Sequence, residues 1–109
     1  MANNVPLVAL PVKDLDKAKA FYKVFLGTEP YADSPYYVGY KSGDLEIGLD
    51  PHGEAVIVYT DTDDIEASLK ALTGAGAEVV KPSTDVGGGL LIAQVAIDGN
   101  TLGLRQQPN

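Results

Sequence analysis

The sequence contains no cysteine and no tryptophan, and only one histidine, one arginine and one methionine. Without cysteine there are no disulfides, thiolate metal sites or thiol nucleophiles, and the composition fits a reducing cytoplasm. A single arginine and a formal net charge of −7 argue against nucleic-acid binding, which needs clustered cations to displace phosphate counterions. Lys13, Lys17, Lys19 and Lys23 do cluster, but they read as the solvated face of a helix. No apolar run approaches membrane-spanning length. The start, MANNVPLVAL, has no basic segment ahead of its short apolar run, so no secretory signal is expected. No G-x-S-x-G is present, and Gly87-Gly88-Gly89 leads into a strand, so it lacks the helix N-terminus that cradles phosphate.

What is present is a chain of 109 residues, 45% hydrophobic, which is enough for one compact domain, and its strand and helix periodicities make the class α+β. In the opening stretch Val8, Leu10 and Val12 alternate with Leu7, Ala9 and Pro11, which predicts a strand that is dry on both faces. Asp14 is placed to cap a helix over about Leu15–Leu26, with Leu15, Ala18, Tyr22 and Phe25 as its apolar stripe and Gly27 as its stop. After Thr28–Ala32 and a turn around Asp33-Ser34-Pro35, strands are expected at Tyr36–Lys41 and Leu45–Asp50. Pro51-His52-Gly53 reads as a linker, with His52 a surface residue.

The second half repeats this plan. Ala55–Thr60 is another dry strand, and Asp61-Thr62-Asp63-Asp64 opens a helix whose stripe is Ile65, Leu69 and Leu72. Glu78–Lys81, Leu90–Ile97 and Thr101–Arg105 follow as strands, with a tight turn at Asp98-Gly99-Asn100 and fraying expected from Gln106 to Asn109. The order is βαβββ twice, a tandem repeat within one domain: module one at about 5–50, linker 51–53 and module two at about 54–105.

The opening VPLVALPVKDLDKAKAFYKVFLG and the close IDGNTLGLRQ resemble the vicinal oxygen chelate superfamily, also called the glyoxalase/bleomycin-resistance/dioxygenase superfamily. The resemblance implies two βαβββ modules whose mixed sheet forms a curved, half-open barrel with the helices outside. It also implies a ligand-holding concave face, often a divalent metal, and in many members a homodimer. Metal-dependent members place His and Glu ligands at four positions, one on the first and one on the last strand of each module. By motif those positions fall here on Leu7, Gly48, Ala55 and Gly103, none of which can ligate through a side chain. A shift of register would bring in Glu46 or Glu54 but no second or third ligand.

The expectation is therefore a cleft protein with no catalytic residue, metal or cofactor. It would bind a small organic molecule, such as a drug-like or cationic aromatic ligand that it sequesters. The alternative is a metal-dependent lyase or dioxygenase with displaced ligands. Strand alternation nominates Leu7, Tyr36, Tyr40, Glu46, Gly48, Ala55, Ile57, Tyr59, Gly103 and Arg105 as ligand-binding. The glycines and alanines leave volume for a ligand, unless neighbouring side chains collapse into it. Tyr36 and Tyr40 share one strand face and Tyr37 the other, and either set could stack on a planar ligand or pack a core. Glu46 is an acid on an otherwise apolar strand and could pair with Arg105.

Overall fold

Alternating apolar residues need a helix to cover one sheet face, and each half of the chain supplies one. The computed structural model describes residues 3–108. The chain divides into two units, Pro6–Val56 and, with the N-terminal residues up to Val5, Ile57 onward. The first unit runs β1 (Leu7–Pro11), α1 (Leu15–Leu26), β2 (Ala32–Ser34), β3 (Tyr37–Ser42) and β4 (Leu45–Asp50). The second runs β5 (Ile57–Asp61), α2 (Ile65–Gly74), β6 (Glu78–Asp85), β7 (Leu91–Ile97) and β8 (Asn100–Gln106). The strand order is β2-β3-β4-β1 in the first unit and β5-β8-β7-β6 in the second. In both, the first strand pairs parallel with the last and the remaining pairs are antiparallel. The α+β class and the tandem βαβββ repeat read from the sequence are the observed fold.

The helices start and stop as their end residues dictate. The Asp14 carboxylate accepts from Lys17 N, and the Asp64 carboxylate accepts from Ala67 N. Gly27 ends α1 in the left-handed conformation, φ 70°. The covered stripe of α1 differs from the expectation. Leu15, Ala18, Tyr22 and Leu26 pack on Val38, Tyr40 and Leu49, while Phe25 is 69% exposed. Phe25 lies further around the helix and stacks on exposed Phe21 instead, with ring centroids 6.0 Å apart. In the second unit Ile65, Leu69, Ala93, Val95 and Leu104 form the core under α2.

Several boundaries also move. β2 takes up Asp33 and Ser34, which had been expected to turn, because Asp33 pairs with Val38 and Ser34 with Tyr37. β5 begins at Ile57, not Ala55. β6 continues past Lys81 to Asp85, absorbing Pro82 within the register shift between Lys81 and Thr84, since a bulge tolerates the missing N–H. Gln106 does not fray: it ends β8, and its amide oxygen accepts from Ile65 N at 2.7 Å, satisfying a free donor of the first turn of α2. Asn109 lies outside the described residues. The turn between β7 and β8 carries Asp98 and Gly99 at φ 51° and 78°, as a two-residue hairpin requires.

Candidate functional site

The four strands of each unit have a helix-covered face and an opposite, open face, and period-two alternation assigns every strand residue to one of them. On the open face of the first unit, β1 contributes Leu7 and Ala9, β3 contributes Tyr37, Gly39 and Lys41, and β4 contributes Glu46 and Gly48. The register sets Leu7 opposite Glu46, Ala9 opposite Gly48, Gly39 opposite Gly48 and Lys41 opposite Glu46. Glu46 is the one buried charged residue among those described, at 6% exposure. Its Oε2 accepts a hydrogen bond from the Tyr37 hydroxyl, and its Oε1 lies 3.8 Å from Lys41 Nζ. Lys41 Nζ also sits 4.7 Å from the centroid of the Tyr31 ring.

The two glycines are what let these side chains meet. A Cβ at Gly48 would lie 2.7 Å from Tyr37 Cε1, and one at Gly39 would lie 2.8 Å from Glu46 Oε2 and 3.0 Å from carbons of both Tyr31 and Tyr37. Tyr37 therefore fills the volume that Gly48 had been expected to leave open. The second unit repeats the device. Tyr59 lies opposite Gly103, where a Cβ would come 2.8 Å from Tyr59 Cγ. The Tyr59 hydroxyl accepts from Gln94 Nε2 at 3.1 Å.

The other nominated residues fall as follows. Tyr40 is fully buried under α1 and its hydroxyl donates to Lys19 O at 2.7 Å, so it belongs to the core, not to the open face. Burial also raises its phenol pKa above the usual value. Tyr36 precedes β3 and is 72% exposed. Ala55 lies ahead of β5, whereas Ile57, opposite Thr101, is on the open face of the second unit. Arg105 donates from Nε to Asp61 Oδ1 at 3.0 Å, so its structural carboxylate partner is Asp61 where Glu46 had been expected. His52 is exposed in the turn after β4. Sequence reasoning missed Tyr37, Lys41 and Tyr31. Alternation had already placed Tyr37 on the face opposite Tyr36 and Tyr40, and the parity it shares with Gly39 was the available signal.

A groove of about 720 Å³ lies on the helix-covered side of the second unit, between α2 and strands β5 and β8, with Asp63, Ala71 and Leu104 among its walls. Gly103 is the only nominated residue along it.

The divalent metal that the fold family implies does not fit these residues. Leu7, Gly48, Ala55 and Gly103 carry no donor side chain. Among the described residues no three His, Cys, Asp or Glu side chains converge to hold a metal ion, and the Glu46 carboxylate is engaged by the Tyr37 hydroxyl and Lys41.

Comparison with solved structures finds the same fold at low identity. A protein from Legionella pneumophila, described as an NAD-dependent benzaldehyde dehydrogenase, superposes with a TM-score of 0.76 at 19% identity, over 92% of this chain and 96% of its own. Methylmalonyl-CoA epimerase from Streptomyces coelicolor, in complex with 2-nitronate-propionyl-CoA, gives 0.72 at 15% identity, over 98% and 99%. A glyoxalase/bleomycin resistance protein/dioxygenase superfamily member from Vibrio splendidus gives 0.69 at 19% identity, over 96% and 98%. No curated protein matches the sequence. The family model of the glyoxalase/bleomycin resistance protein/dioxygenase superfamily matches residues 4–102, and the chain belongs to that superfamily.

Proposed function

We propose that this chain is a metal-independent small-molecule binding protein that sequesters a drug-like or cationic aromatic ligand in the cytoplasm, as a homodimer, without converting it. The observation that carries the reading is the arrangement at Gly48. Where the superfamily would place a ligating side chain on the last strand, this chain has a glycine covered by Tyr37, and Tyr37 is hydrogen-bonded to a buried carboxylate. Aromatic faces beside a single desolvated acid supply contact area and one fixed charge, which is what retention of a small organic molecule needs. Among the described residues no three His, Cys, Asp or Glu side chains converge to hold a metal ion, and the reading takes affinity as the property the site provides. The missing cysteines fit a cytoplasmic protein, and among the described residues no helix is long and apolar enough to cross a membrane.

The test is a thermal-shift screen of cationic aromatic and neutral compounds against chelator-treated protein, followed by calorimetry on the hits. Saturable one-to-one binding that survives chelation supports the proposal. Binding that appears only after nickel, zinc, iron or manganese is added would support a metal-dependent lyase or dioxygenase instead. Sedimentation at micromolar concentration should show twice the 11.4 kDa chain mass, and a purely monomeric species would remove the homodimer from the reading.

A further inference from the structure

We propose that the open face of the first unit carries a cage for an organic ammonium group, and that the chain's own Lys41 fills it until a ligand displaces it. This rests on the small-molecule reading above and narrows the ligand class to a primary ammonium on an apolar or aromatic body.

The lysine ammonium sits where such a ligand's head would sit. It has a ring face at 4.7 Å on one side, from Tyr31, and a carboxylate oxygen at 3.8 Å on the other, from Glu46. An aromatic face and a carboxylate are the two groups that recognise a cation, and both act more strongly when water is excluded. Here the carboxylate is the buried member: the Glu46 side chain is 8% exposed and that of Lys41 57%. The Tyr37 hydroxyl fixes the second oxygen of Glu46, so the acid stays in place whether or not the lysine does. Gly39 lets Tyr31, Tyr37 and Glu46 converge over one backbone position.

Lys41, in contrast, is easily released. A separation of 3.8 Å is an ion pair without a direct hydrogen bond. Its side chain is mostly in water, and holding it costs rotamer entropy. It lies one residue before the end of β3, and a side-chain rotation frees the cage without breaking the ladder. A free ligand ammonium can take over the same two partners while its apolar body covers Tyr31, which is 55% exposed. Lys41 is thus a tethered competitor, and the apparent affinity is reduced by the fraction of time it occupies the cage.

The test compares 4-phenylbutylammonium with its uncharged counterpart 4-phenylbutanol, by calorimetry and by shifts of the tyrosine ring resonances. The proteins are the wild type, Lys41→Met, Glu46→Gln and Lys70→Met, the last matching the charge change of Lys41→Met on a different element. The expected result is that the amine binds more tightly than the alcohol. Lys41→Met should strengthen amine binding by roughly two- to fivefold, the gain expected when a weakly held, exposed competitor is removed, and leave the alcohol unchanged. Lys70→Met should have no effect, and Glu46→Gln should abolish the preference for the amine. Unchanged or weaker amine binding in Lys41→Met overturns the tethered-competitor proposal while leaving the binding reading intact. Equal strengthening for the alcohol overturns it too, because space and not charge would then be the cause. Saturation by neither probe on any variant overturns both. If Glu46→Gln does not fold by circular dichroism, the two lysine variants decide alone.

Discussion

The Tyr37 hydroxyl donates to Glu46, and that one bond joins a residue of β3 to a buried acid of β4. A hydrogen bond to a charged group contributes about 1.5–3 kcal/mol, so Tyr37→Phe should lower unfolding free energy by about that amount in urea titration at neutral pH. Tyr40 gives a contrasting prediction. Its folded-state phenol pKa is raised by burial, so the folded state holds the proton longer than the unfolded chain does. The associated stability is fully present below about pH 10 and is lost as pH rises through the folded value. Lys19 is raised in the same sense by its bond to Asp33. Tyr40→Phe should therefore cost about 1 kcal/mol at pH 7, from the lost bond to Lys19 O, and should flatten the decline above pH 10. An unchanged alkaline limb would contradict the assignment. The sequence held the parity that separates Tyr37 from Tyr36 and Tyr40. It did not show which parity faces α1, because aromatic residues suit either face and the choice was made by a backbone carbonyl twenty-one residues away.

At the scale of elements, both units lay a tyrosine across a glycine of their last strand, Tyr37 on Gly48 and Tyr59 on Gly103. Overpacking at such a contact costs about 1–3 kcal/mol, so Gly48→Ala and Gly103→Ala should each lower thermal stability, and Tyr59→Leu should recover part of the loss in Gly103→Ala. An additive double mutant would show that the ring is not the obstacle. The apolar-Gly-apolar punctuation was legible in the sequence, but its reason was not, since the covering ring comes from another strand in each case. On α1, Leu26→Ala should cost about 2 kcal/mol, at the low end for core truncations because Leu26 is only partly buried. Phe25→Ala should stay within about 1 kcal/mol, since Phe25 is exposed and its ring contacts are with Phe21 and Tyr22. Both values can be read from the same denaturation series. Helical spacing alone admitted Phe25 and Leu26 equally, because exposed Phe21, Val24 and Phe25 widen the apolar arc of this helix beyond the residues that pack on the core.

For the molecule as a whole, the repeat, the helix ends and the family were readable from periodicity, capping residues and motifs, all of which are local in the chain. The site was readable only in part. Strand alternation put Leu7, Glu46 and Gly48 on one face, as the pairing register has them, whereas the Tyr31–Lys41 contact joins an exposed ring ahead of β2 to an exposed strand residue, which no periodicity marks. Superfamily membership supplies the scaffold and leaves the chemistry to these residues. In the proposed function the chain binds its ligand through an aromatic and acidic face and without a metal. The most direct measurement is calorimetric titration of 4-phenylbutylammonium into chelator-treated protein, repeated after stoichiometric nickel, zinc, iron or manganese is added. The expected result is the same affinity and a one-to-one stoichiometry in every condition. Binding that requires one of the metals, or a tight stoichiometric metal site in the ligand-free protein, would contradict it.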